Sequence, residues 1–211
     1  MGMHARLAAA GLALAALLLP AAARAQPTAA LRLAYAPALG DLARGVPMSD
    51  AMSSQIPVQL DLLFRFGMAS AGAYGSWGLG QASGDACKAG ASCSASVVRA
   101  GVQALWAFEP LGETRIVPWA GLGLGWEWAF QRTERLGSRI STTWSGAELA
   151  VQGGAEWPLA GRFGLGPFVL LGGGRYAREA VDTSADSGSA DIGTKAVHLW
   201  IHVGVRGRVD F

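Results

Sequence analysis

The chain has 211 residues, of which 51% are apolar and only 15% charged, with 30 glycines and 8 tryptophans. That length suits one domain plus a targeting segment. The charge, 17 Lys+Arg against 15 Asp+Glu, falls to 15 of each once Arg6 and Arg24 of the first 25 residues are set aside, which argues against a nucleic-acid partner.

The first segment opens with His4 and Arg6. An apolar run from Leu7 to Leu19 ends at Pro20, and Ala23-Arg24-Ala25 comes next. A basic start, a short apolar centre and an A-x-A motif predict a signal peptide over 1–25, cleaved before Gln26. The run is too short for a comfortable spanning helix. No cysteine sits near the cut, so a lipid anchor is not expected. The mature domain is expected over 26–211, and no later stretch is long and apolar enough for a membrane helix.

From there the informative pattern has period two, which places alternate side chains on opposite faces of a strand. Leu31, Leu33 and Tyr35 oppose Arg32. Val58, Leu60, Leu62, Phe64 and Phe66 oppose Gln59, Asp61, Leu63 and Arg65. Residues 71–80 are rich in Gly and Ala, with Trp77 and Leu79 on one parity and Tyr74 and Ser76 on the other. Val98, Ala100, Val102, Ala104, Trp106 and Phe108 oppose Arg99, Gly101, Gln103 and Glu109. Ala120, Leu122, Leu124, Trp126, Trp128 and Phe130 oppose Gly121, Gly123, Gly125 and Glu127. Ala147, Leu149, Val151, Ala155 and Trp157 oppose Glu148, Gln152, Gly154 and Glu156. Residues 164–176 are apolar on both faces and leave their register open. Finally Val197, Leu199, Ile201, Val203, Val205, Val209 and Phe211 oppose His198, Trp200, His202, Arg206, Arg208 and Asp210.

Eight strands is an even number, as in single-chain bacterial barrels. The connections alternate: 39–54, 81–94, 132–142 and 178–193 are long, while 67–70, 110–115 and 158–163 are short. Long outer loops and short periplasmic turns have this rhythm. In lipid every backbone polar group needs an internal partner, so a spanning chain without helices must close into a barrel. The expected fold is all-β: an eight-stranded antiparallel transmembrane β-barrel, an up-and-down meander behind a cleaved signal peptide.

The apolar parity is expected to face lipid and the other parity the lumen. An eight-stranded lumen is just wide enough for side chains to fill. The expected lumen network is Arg32, Asp61, Arg65, Arg99, Glu127, Glu148, Glu156, His198, His202, Arg206 and Arg208, with Glu109 and Asp210 on the same parity, and Arg175 if the register of its strand turns it inward. Glycines 101, 121, 123, 125 and 154 are expected to make room for Arg and Glu heads. Trp77, Trp106, Phe108, Trp126, Trp128, Trp157 and Phe211, with Phe64, Phe66 and Phe130, are expected to form aromatic belts at the two interfaces. Cys87 and Cys93 are expected to form a disulfide, a local loop staple that folding does not need. His198 and His202 would sit roughly 13 Å apart on a strand, too far for one metal ion. GLGLG at 121–125 lacks a full phosphate-loop pattern and a following helix. Neither a metal nor another cofactor is expected.

The leader, the eight dyad strands, the alternating connections and the terminal HLWIHVGVRGRVDF resemble the small bacterial outer-membrane β-barrel proteins, such as the OmpA membrane domain, OmpX and OmpW. The resemblance covers 29–211 and implies a monomer in the outer membrane, in contact with its lipid and lipopolysaccharide. It also implies recognition of Phe211 by the barrel assembly machinery. No domain follows Phe211, so an OmpA-like wall-anchoring role is not expected. The expected function is a structural or surface-interaction barrel with a charge-plugged lumen. A narrow channel or lateral conduit for small apolar solutes is one alternative. A lipid A-modifying enzyme is the other, with Ser145 and His198 near the outer end, but they lie on opposite parities of non-adjacent strands, and no enzyme is expected.

Overall fold

The computed structural model describes residues 25–84, 87, 91–135, 138–184 and 186–211. The predicted leader, apart from Ala25, and Lys88 lie outside the described residues.

The chain is built of strands β1 (Gln26–Ala43), β2 (Val46–Pro47), β3 (Met52–Phe66), β4 (Ala69–Ala82), β5 (Ser92–Ala107), β6 (Val117–Arg135), β7 (Ser138–Ala160), β8 (Phe163–Thr183), β9 (Ser187–Asp191) and β10 (His198–Asp210). Eight of them close a ring. Each of β1 and β3 to β8 pairs antiparallel with the next, and β10 pairs with both β8 and β1. Closure leaves the ring itself without an unpaired edge. The short β2 and β9 fold back on β1 and β8.

Period two decides which way each side chain points. Leu31, Leu124 and Val203 are 57%, 59% and 57% exposed, whereas Arg32, Glu127 and Arg206 are 1%, 0% and 3% exposed. A water-soluble barrel would invert this. On β8 the open register resolves: Gly164, Gly166, Phe168, Leu170, Gly172, Gly174 and Tyr176 face inward. Arg175 therefore lies on the outer wall, outside the lumen set.

The long connections are more regular than expected. Residues 132–142 are mostly a paired ribbon, with Arg132 opposite Ser141 and Arg135 opposite Ser138. Within 178–193, Arg178–Asp182 pairs with Ser187–Asp191. These segments are polar on both faces, so hydropathy alternation does not mark them as strands. The first long connection holds a single 3-10 turn, Met48–Asp50. The short connections turn at Gly67 (φ 63°) and Gly161 (φ 49°), a backbone region that favours glycine. Glu109 lies exposed in the short connection between β5 and β6, outside the lumen.

Two apolar layers fill the tube. Near the long-connection end Leu42, Met48, Met52, Trp144, Ile192 and Trp200 pack together. Near the short-turn end Leu63, Leu105, Trp119, Phe168 and Leu170 do the same. The first long connection thus folds inward as a stopper: Met48 and Met52 are among the largest fully buried side chains.

Candidate functional site: the enclosed lumen

Between and below these layers the inward residues meet in three polar tiers. The upper tier centres on Arg99 of β5. Its Nε donates to Glu127 at 2.7 Å and to Glu148 at 2.8 Å, and its guanidinium lies 5.2 Å from the Trp200 ring centre. The Gln55 amide, with its oxygen turned to Arg99, accepts from Nη2 at 2.7 Å. Glu127 also accepts from Trp200 Nε1 at 3.2 Å and from the Tyr176 hydroxyl. His198 Nε2 stands 3.3 Å from the same carboxylate, and its ring stacks on Tyr176 at 4.1 Å.

The middle tier centres on Arg32 of β1. Nε donates to Asp61 at 2.7 Å, Nη2 to Gln103 at 3.1 Å, and Nη1 to Gln152. Gln59 donates to Asp61 at 2.7 Å. Trp119 and Phe168 flank the guanidinium at 5.5 and 5.3 Å. The lower tier joins Arg206 and Arg208 to Glu156, and Arg208 to Asp210. Arg65 sits partly exposed at this rim, 3.3 Å from Asp210. Arg32, Arg65, Arg99, Arg206 and Arg208 stand against Asp61, Glu127, Glu148, Glu156 and Asp210, five guanidinium groups against five carboxyl groups. Buried charges persist only when paired and hydrogen-bonded in this way.

Every residue of the predicted network but Arg65 and Arg208 is buried, and those two share the rim with Asp210. His202 borders the space between the upper and middle tiers, and among the described residues no group of three or more metal-ligating side chains converges.

The role predicted for the glycines needs correction. A Cβ at Gly101 or Gly154 would stand 2.8 Å from Tyr74 Cε1 or 2.9 Å from the Trp119 ring. Gly121 faces Leu105, and Gly125 faces the Tyr74 hydroxyl. These glycines make room for rings and a leucine. Charged and imidazole heads instead rest over Gly172 and Gly174, where a Cβ would meet Glu148 Oε1 at 2.8 Å and His198 Nε2 at 3.0 Å.

Sequence reading missed the inward Tyr74, Trp119, Trp144, Phe168 and Tyr176, all buried. A hydropathy pattern scores a lumen aromatic and a lipid-facing one alike. Trp119 shares strand and parity with Glu127, and Trp144 with Glu148 and Glu156, whereas Tyr74, Phe168 and Tyr176 share a strand with none of these carboxylates. Of the predicted belt, Trp77, Trp106, Phe108, Trp126, Trp157 and Phe211 are exposed on the wall or rims, and Trp128 is half-buried.

At the mouth, Cys87 and Cys93 are bonded, with Cα atoms 5.7 Å apart. Cys93 belongs to β5 rather than to a loop. Ser83 N donates to Ala51 O at 3.1 Å, and Gln131 Nε2 reaches Ala51 O and Ser83 O at 3.3 and 3.4 Å. The stapled second connection thus buttresses the stopper formed by the first.

At the short-turn end a space of about 70 Å³ lies against Arg65, Leu105, Trp119, Glu156, Arg206 and Arg208. The central cavity, bordered by Gln59, Tyr74, Arg99, Gln103, Glu148, Gln152 and His202, measures about 10 Å³. That is near the threshold for a single water molecule.

No protein-family model and no curated protein matches the chain. Solved structures do. A major outer-membrane protein of Thermus thermophilus is similar over 85% of this chain and 99% of its own, with TM-score 0.57 and 12% identity. Neisserial surface protein A is similar over 89% and 97%, with TM-score 0.48 and 12% identity. Ail of Yersinia pestis is similar over 86% and 99%, with TM-score 0.38 and 14% identity. Eight strands in a closed antiparallel ring, an oily outer wall and a polar interior give this chain the architecture of the small bacterial outer-membrane β-barrel proteins.

Proposed function

We propose that the mature chain is an integral protein of the bacterial outer membrane whose lumen is sealed, and that it acts structurally or by surface contact through its long-connection end. The short turns then lie in the periplasm and the ribbons outside. One observation carries the sealed lumen: three ion-paired tiers and two apolar layers leave a central cavity of only about 10 Å³. A conduit for ions would need a continuous polar gap, and for apolar solutes an opening past Met48, Met52 and Trp200, all of which are 0–1% exposed.

A non-enzymatic role accords with the same geometry. Ser145 lies on the outer wall and His198 inside the tube, so a hydroxyl and its base do not meet. Reconstitution into planar bilayers tests the sealed lumen. The expected record is a flat baseline at 100 mV; regular, reproducible single-channel steps would refute the seal.

A further inference from the structure

Strand β8 carries two arginines of opposite parity, Arg175 and Arg178, which in a regular strand would face opposite sides. Here Ala147 pairs with Arg175, Gly146 with Tyr176, and Ser145 with Arg178. Ala177 is therefore an extra residue, a β-bulge, and bulges re-aim side chains. The Ala177 carbonyl accepts from Ile192 N at 2.9 Å, which fixes the bulge. Tyr176 stays inside, stacked on His198, while both arginines emerge on the outer wall.

Their height comes from the strand. Phe163, Leu165, Pro167, Val169 and Leu171 form the outward apolar row below them. From Phe163 to Arg175 the strand runs roughly 40 Å at about 3.3 Å per residue. At a tilt near ~40° this is about 30 Å of height, beyond the roughly 25 Å apolar band of such barrels. The two arginines stand where outer-leaflet headgroups would lie. Across the sheet, Arg178 is followed by Ser145 and then Trp128, and Arg175 by Ala147 and then Trp126.

Nearby, Arg132 and Arg139 share one carboxylate, standing 3.2 and 2.9 Å from Glu134. Arg178 has only exposed Asp191 at 3.7 Å, and Arg175 has no ion-pair partner among the described residues. An unpaired guanidinium on an apolar wall is the arrangement that recruits an anion.

Resting on the outer-membrane reading, we propose that this wall binds the phosphorylated sugar headgroup of an outer-leaflet glycolipid. Arg175 and Arg178 hold the phosphate and Ser145 donates to it. Trp126 and Trp128 stand beside the sugar, and acyl chains lie along Val169, Leu171, Leu149 and Val151. The tryptophans and the position at the ribbon end favour a glycolipid over a glycerophospholipid.

The test uses the mature protein folded in detergent micelles and counts retained lipid by native mass spectrometry. Probes are diphosphorylated lipid A, its dephosphorylated form and phosphatidylglycerol. Expected are one lipid A retained, retention at least about tenfold weaker for R175Q/R178Q, recovery in R175K/R178K and little change in R132Q/R139Q. Equal retention by R175Q/R178Q, equal retention of dephosphorylated lipid A, or displacement by equimolar phosphatidylglycerol would each overturn the proposal. If the double variant does not fold, R178Q alone must show partial loss or the site is rejected. Insertion of the wild type into vesicles is scored separately, so failure of the outer-membrane reading is distinguishable from failure of this site.

Discussion

Replacing Arg99 by Gln is expected to destabilise the barrel by about 3–5 kcal/mol, the usual effect of breaking a buried ion pair by removing one partner. Arg99 faces two carboxylates, Glu127 and Glu148, and among the described residues no other arginine reaches either. Without it, Glu127 keeps Tyr176 and Trp200 as donors and His198 as a neighbour. Glu148 keeps no cation. The loss should therefore be concentrated at Glu148, and the double variant R99Q/E148Q should recover a large part of it. Urea unfolding in lipid vesicles, followed by tryptophan fluorescence, measures both. A midpoint for R99Q equal to wild type would mean that the tier carries no structural weight.

A second large effect is expected on the outer wall, at a position where a soluble protein would show almost none. Leu124 lies midway along the outward row of β6 and is 59% exposed. In water, Leu124→Arg would be nearly neutral. In a bilayer it should cost about 2–4 kcal/mol, because an arginine at the midplane loses its hydration. Leu159→Arg, near the short-turn rim and 65% exposed, should cost only about 0–1 kcal/mol. The contrast between two leucines of similar exposure is what depth in a membrane produces.

The alternation that marks the eight strands is legible because lipid and lumen impose opposite chemistry on neighbouring residues. It fails where that contrast fades. On β8, Phe168 and Leu170 face inward into the lower apolar layer, so both parities look oily and the register is silent. Beyond the bilayer, Arg132 and Ser141 both sit in water, so a paired ribbon reads as a loop. The bulge at Ala177 shifts the parity of the later β8 residues without changing composition. The lumen charges are readable one by one, as polar residues on a common parity. Which arginine meets which carboxylate depends on stagger between strands, and Arg32 with Gln152 are 120 residues apart. The inward stopper of Met48 and Met52 has no alternation at all; its burial comes from the closed wall beneath it.

The orientation of the wall is most directly tested by nitroxide labels at Leu122, Val203, Gln103 and Gln152 in the vesicle-reconstituted protein, scored by collision with oxygen and with a water-soluble nickel chelate. Labels at Leu122 and Val203 should collide with oxygen and be shielded from nickel, while those at Gln103 and Gln152 should be shielded from both. Nickel reaching Leu122 and Val203 as readily as an aqueous loop would place the oily faces in water and contradict a membrane-embedded barrel.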